Sequence, residues 1–142
     1  MRKIYPARVS YKLLIIIFLI SYLPIIIELI KEQIITKRII GIFIFMSLII
    51  FLVSYIFFKT KYIIDNQHLN IVCGFFKYSA IDINDITEIN KTKSFIAAPA
   101  PSFDRIKISY NRYDNIIISP KNKMDFINNL LLINPKINNK VN

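Results

Sequence analysis

Read as apolar against polar positions, the chain changes its period twice. Leu13 to Ile30, "LLIIIFLISYLPIIIELI", is 18 residues with one ionisable group, and Ile39 to Phe58, "IIGIFIFMSLIIFLVSYIFF", is 20 residues with none. Neither run carries the polar stripe at 3.6-residue spacing that a helix lying on a soluble core would show. A bilayer core about 30 Å thick is crossed by about 20 helical residues, so both runs predict membrane-spanning helices. Pro24 removes one backbone hydrogen bond and predicts a bend in the first helix, or a deviation of its outer third. A positive segment precedes the first run, as in a signal peptide, but no small-residue cleavage pattern follows and a second run comes eight residues later. An uncleaved helical hairpin is the reading that satisfies both observations.

From Thr60 the period drops to two. "KYIID" and "HLNIV" predict a hairpin turning at Asp65 to Gln67, and "KYSAIDI" and "ITEINKTK" predict two more strands joined at "NDI". "DRIKISY" and "NIIIS" predict a second hairpin across "NRYD". The helical period then returns: Ser119 is placed as N-cap, Pro120 at the first helical position, and Met124, Phe126, Ile127, Leu130 and Leu131 on one face. Asn134-Pro135 ends that helix. Short strands capped by one helix predict a half-open antiparallel barrel, which hides its sheet edges. The expected division is a basic tail at 1–12, spans at 13–30 and 39–58, a loop at 31–38, a β module at 60–137 with its C-terminal helix at 120–133, and a frayed tail at 138–142.

Charge then bears on orientation. The net charge of +10 could point to nucleic acid or to an anionic membrane surface. Half of the excess lies in residues 1 to 58, with seven Lys or Arg against Glu28 and Glu32, flanking the apolar runs, and this favours the membrane and no nucleic-acid partner. Arg2, Lys3, Arg8, Lys12, Lys59 and Lys61 outnumber Lys31, Lys37 and Arg38 of the connecting loop, which predicts that both the tail and the C-terminal module face the cytoplasm of a bacterial inner membrane. Glu28 lies within three residues of Lys31 and reaches the headgroup layer more simply than it marks an ion path.

The candidate chemistry is sparse. Cys73 is the sole cysteine, so neither an intramolecular disulfide nor a cysteine zinc site can form, and no cofactor or metal is expected. His68 is the sole histidine and lacks a nucleophile elbow, and the two glycines, Gly41 and Gly74, cannot build a phosphate-cradling loop. An enzyme is therefore not expected. Asp104 and Arg105 are adjacent on a strand and point to opposite faces, so they cannot form a catalytic couple. Arg105 is expected to bond loop carbonyls of residues 97 to 101, with partner binding as the alternative.

The run Ala97, Ala98, Pro99, Ala100, Pro101, Ser102, then "DRIKISY", then "ISP" at 118 to 120, then Phe126 and Leu130, resembles the bacterial pleckstrin-homology-like family often called YyaB-like. The resemblance covers residues 60 to about 137. It implies two nearly orthogonal antiparallel sheets closed by a C-terminal helix, often behind a short membrane anchor. It also implies seven strands where the pattern gives six, leaving one to find within residues 75 to 95. Eukaryotic lipid-binding relatives carry a basic cluster at the first hairpin; Asp65, Asn66, Gln67 and His68 stand there instead, so phosphoinositide recognition does not carry over. Some family members look like bacteriocin-immunity proteins. The expected whole is an α+β membrane protein: a two-helix transmembrane hairpin followed by a pleckstrin-homology-like barrel. Its expected function is non-enzymatic binding of a protein, peptide or lipid surface at the membrane, with Pro99, Pro101, Ser102, Asp104, Arg105 and Tyr110 as the partner-binding or structural motif. The alternatives are an accessory subunit of a membrane transporter or complex and, less favoured, a membrane-embedded enzyme.

Overall fold

The computed structural model describes residues 2–32, 37–94 and 99–141. They divide into two compact units, Ser10–Tyr55 and the combination of Met1–Val9 with Ile56–Asn142. The first unit is a pair of helices, α1 (Tyr11–Glu32) and α2 (Lys37–Phe58), both extending past the bounds read from sequence. Each is long and apolar enough to cross a membrane. Side chains such as Phe18, Leu19, Phe45, Leu48 and Phe51 are largely exposed, the reverse of what a soluble core helix shows. Tyr22 stacks near Phe43, and its hydroxyl lies 2.6 Å from Ser47 Oγ. Ser21 and Ser47 donate to the carbonyls of Ile17 and Phe43 one turn back, so these hydroxyls are satisfied without water. Helix α1 continues through Pro24.

The second unit holds two sheets and a helix. The first sheet contains β1 (Arg2–Pro6), β2 (Lys61–Asp65), β3 (His68–Cys73) and β4 (Phe76–Lys77) in that order, with β5 (Ile81–Asp82) pairing the other end of β3. The second contains β6 (Ile86–Thr92), β7 (Arg105–Tyr110), β8 (Asp114–Ile118) and β9 (Asn138–Lys140) in the order β8-β7-β6-β9. Helix α3 (Lys123–Ile133) packs Phe126, Ile127 and Leu130 into a core shared with Tyr62, Leu69, Ile71, Ile89, Ile106 and Ile118. Asn66 and Asn111, at the two predicted hairpin turns, have φ of 53° and 52°, a left-handed backbone that asparagine tolerates better than most residues.

Four expectations need correction. The sheets do not close into a barrel; beyond their strands they meet at an isolated bridge between Ala7 and Pro120. The segment read as a basic tail is strand β1, antiparallel to β2 from Arg2↔Asp65 to Pro6↔Lys61, with Tyr5 buried against Phe126. The segment read as frayed contains β9, which runs parallel to β6, held by buried Ile137 and Val141 on either side of it and by a Lys140–Glu88 ion pair at 2.7 Å. Ser119 and Pro120 do not start the helix: the backbone of Arg8 donates to Ser119 O at 2.7 Å and that of Lys121 to Pro6 O at 3.0 Å, so this segment partners the end of β1. Helix α3 begins after Asn122, and Met124 is exposed. Its end at Asn134 is where proline places it, and the Asn134 amide donates to the carbonyls of Ile83, Asn84 and Ile86, tying the helix to the turn before β6.

The corrections at β1 and at Ser119-Pro120 share one cause. Strands β1 and β2 are neighbours in space, yet α1 and α2 lie between them in sequence. The helix pair is one long insertion in a strand hairpin.

Candidate functional site

Two of the places where polar side chains collect differ in kind. The first is the corner before β7. Tyr62, inward-facing on β2 and fully buried, donates to Pro99 O at 2.5 Å and accepts the Ser119 backbone N–H at 3.0 Å. Burial pushes the Tyr62 hydroxyl up from 10.0 to about 12, opposed by the Ser119 N–H, so the group stays a donor at neutral pH. Pro101 and Ser102 are buried. Arg105 is buried and spends its guanidinium on two carbonyls, Nε to Ser102 O at 2.5 Å and Nη1 to Ser94 O at 2.9 Å. These carbonyls flank the loop expected to hold it; Ala97 and Ala98 of that loop lie outside the described residues.

Asp104 sends its carboxylate elsewhere, pairing with Arg8 at 2.9 Å and with Lys123 at the start of α3. The hydrogen bond from Lys123, helped by the charges of Lys123 and Arg8, holds its carboxyl below the ordinary 3.8 against the opposing effect of partial burial. The Ser102 hydroxyl accepts the Asp104 backbone N–H at 3.2 Å. Tyr110, at the far end of β7, is part-buried against the core and stands apart from this corner. Of the six residues singled out in the sequence, Pro99, Ser102, Asp104 and Arg105 come together with Pro101 beside them. Each bond described here goes to the module itself: the corner ties β1, β2, β7 and α3 together.

The second place is the outer face of the first sheet. Alternation turns Tyr62 and Ile64 of β2 into the core and leaves Lys61, Ile63 and Asp65 outside. Their partners in register are Pro6, Ile4 and Arg2 on one side and Val72, Asn70 and His68 on the other. A groove of about 330 Å³ runs over this face, lined among others by Arg2, Lys61, Ile63, Asp65, Asn70, Lys77 and Tyr78. Ile63 is buried yet stands outside the core cluster, as a floor would. Among the described residues, Arg2, Lys61 and Lys77 make no ion pair. Three cations against the one carboxylate of Asp65 suit an anionic group. Burial raises the Tyr78 hydroxyl above 10.0, with Cys73 adding to it, so Tyr78 remains a donor there. His68 pairs in register with Asp65 and does not line the groove.

Sequence reasoning missed this groove because Arg2 was assigned to a tail, while Lys61 was read for orientation and Lys77 only as the start of the strand "KYSAIDI". One signal was present, in composition and not in period: "RKIYP" holds isoleucine and tyrosine, which favour strands, and has the same length as "KYIID".

A family model described as Bacterial PH domain matches residues 60–134. No curated protein and no solved structure matches the chain. The match begins at the residue before β2 and ends at the C-cap of α3, so it takes in Lys61 and Lys77 but neither β1 nor Arg2.

Proposed function

This chain belongs to the bacterial PH domain family, and from that premise we propose that it is a membrane-anchored, non-catalytic binding module whose groove engages an acidic group on a partner in or on the same bilayer. Helices α1 and α2 are the spans of this reading. The observation that carries it is the groove of Arg2, Lys61 and Lys77, built from strands on both sides of the helix pair. Because β1 precedes α1 and β2 follows α2, a folded first sheet requires both ends of the helix pair to emerge on one side of the membrane. An even number of spans satisfies this condition. The excess of Lys and Arg at those ends favours the cytoplasmic side of a bacterial inner membrane.

Only Lys59 and Thr60 separate α2 from β2, which limits the module's reach to partners at the same membrane. A protein or peptide presenting carboxylates or phosphates there fits the groove by charge.

The test is site-specific photo-crosslinking in native membranes, with the crosslinker at Asn70 inside the groove or at Tyr113 on the exposed β7–β8 turn. The expected result is an adduct from Asn70 that weakens with added salt and is lost in Lys61→Glu with Lys77→Glu. An adduct from Tyr113 alone, or one indifferent to both charges, refutes the groove as the binding surface. For orientation, an alkaline phosphatase fused at Asn142 should be inactive in a bacterial host, and strong activity would reverse the assignment.

A further inference from the structure

The turn joining β3 to β4 puts two phenylalanines where water would surround them. Phe75 is 68% exposed and Phe76 67%, with Lys77 and the 45%-exposed Tyr78 following directly. A soluble hairpin tip normally carries polar turn residues. Gly74, in the same turn, has φ +59°, and a Cβ built on it would lie 2.9 Å from Ile56 Cγ1 and 3.1 Å from Ile56 Cα. The turn backbone therefore lies directly on the last helical turn of α2, within one compact unit. Ile56 to Phe58 close the apolar run of α2, Phe58 is 57% exposed, and Lys59 and Lys61 follow.

We propose that the β3–β4 turn is a membrane-interface anchor: Phe75 and Phe76 enter the headgroup region of the bilayer that α2 leaves, while Lys77, on the opposite face of β4, stays in the groove. This inference rests on the reading of α2 as a span. Continuity selects the occupant. A turn packed on the residue where an apolar helix ends lies at the depth where that helix meets the interface, and aromatic side chains are enriched at that depth. Lysines beside it match the anionic surface of the cytoplasmic leaflet. Gly74 sets the geometry, since any side chain there would push the turn off α2 and also meet an unfavourable backbone conformation. The anchor would fix the groove, whose edge Lys77 and Tyr78 supply, at a constant height above the membrane.

The chain contains no tryptophan, so each introduced one is an unambiguous reporter. Full-length protein in liposomes containing anionic phospholipid would carry Phe76→Trp, Phe75→Trp, Phe51→Trp within α2, or Tyr113→Trp on the β7–β8 turn. The expected result is blue-shifted emission from Phe76→Trp and Phe75→Trp, with quenching by lipids labelled near the headgroup. Phe51→Trp should be quenched by lipids labelled deep in the chains, and Tyr113→Trp should emit as in water. If Phe51→Trp is quenched while both turn reporters behave like Tyr113→Trp, the anchor is wrong and the span reading stands. Turn reporters shielded from aqueous quencher yet untouched by labelled lipid mean that protein covers the turn, which also overturns the proposal. Absence of lipid quenching at Phe51→Trp overturns both readings.

Discussion

The corner before β7 and the groove on the first sheet hold similar side chains in opposite circumstances. At the corner, Arg105, Asp104 and Tyr62 are matched to carbonyls, cations and a backbone N–H of the same fold. Across the groove, Arg2, Lys61 and Lys77 share one face with a single carboxylate and make no ion pair among the described residues. A polar group matched internally has been withdrawn from binding and serves stability. One left facing solvent with excess like charge contributes little to stability and retains its capacity for a partner. Residue type alone does not separate these cases; the bonding partner does.

Substitutions at the corner should therefore carry the largest stability effects. Arg105→Ala leaves the carbonyls of Ser94 and Ser102 without this donor and opens space in a buried site, at an expected cost of about 3 kcal/mol. Thermal unfolding of the detergent-solubilised protein should fall by more than about 10 °C. A shift within error would mean that the guanidinium is dispensable and the corner loosely bonded. Tyr62→Phe keeps the ring in the core and removes one hydroxyl that serves two buried partners, for an expected loss of about 2 kcal/mol in the same measurement.

Legibility followed the same division between local and non-local causes. The helices, both central hairpins and the stop at Asn134 were readable because periodicity, asparagine turns and proline act within a few residues. Strands β1 and β9 were not, because each is a strand only by virtue of a distant partner: β1 needs β2 across two long helices, and β9 needs β6. Ser119 and Pro120 misled for the same reason, since their local signature is that of a helix start while the end of β1 claims their backbone. The strand read at "KYSAIDI" divides into the two-residue pieces β4 and β5 on one edge of β3, which supplies the seventh strand sought within residues 75 to 95. At the corner, the resemblance named residues that lie near one another in the fold. Which side chain meets which carbonyl was beyond it, because Ser94, Ser102 and Arg8 approach from three separate segments.

Titration sharpens the comparison from both ends of the pH scale. Tyr62 and Tyr5 both have their hydroxyls raised to about 12 from 10.0, by burial in each case, with the Asp125 carboxylate adding to it at Tyr5. The unfolded chain gives up those protons first, so the stability they confer is complete below pH 10 and is lost between pH 10 and about 12. Tyr62→Phe should flatten that alkaline limb when unfolding is followed against pH; an unchanged limb would remove Tyr62 as its source. Asp104 works in the other direction. With its folded value below 3.8, its contribution is present above that value and disappears as pH falls through the folded one. Because Asp104 is partly exposed, Asp104→Asn should cost no more than about 1 kcal/mol at neutral pH, and the difference from the natural chain should vanish in acid.

The smallest expected stability effect is the most discriminating. Lys61→Gln with Lys77→Gln removes two of the three groove cations and breaks no ion pair or hydrogen bond among the described residues, so thermal stability should change by less than about 0.5 kcal/mol. Relief of repulsion between like charges could even raise it. Partner capture from Asn70 should change far more. At about 1 kcal/mol for each lysine facing an anionic surface, the pair corresponds to roughly 30-fold weaker engagement. If the double variant instead loses more than about 1 kcal/mol of stability, these lysines are bonded into the fold as Arg105 is, and the distinction between corner and groove collapses. If stability and capture are both unchanged, the groove is an ordinary solvated face, because cations that neither hold the fold nor meet a partner have no further part to play in binding.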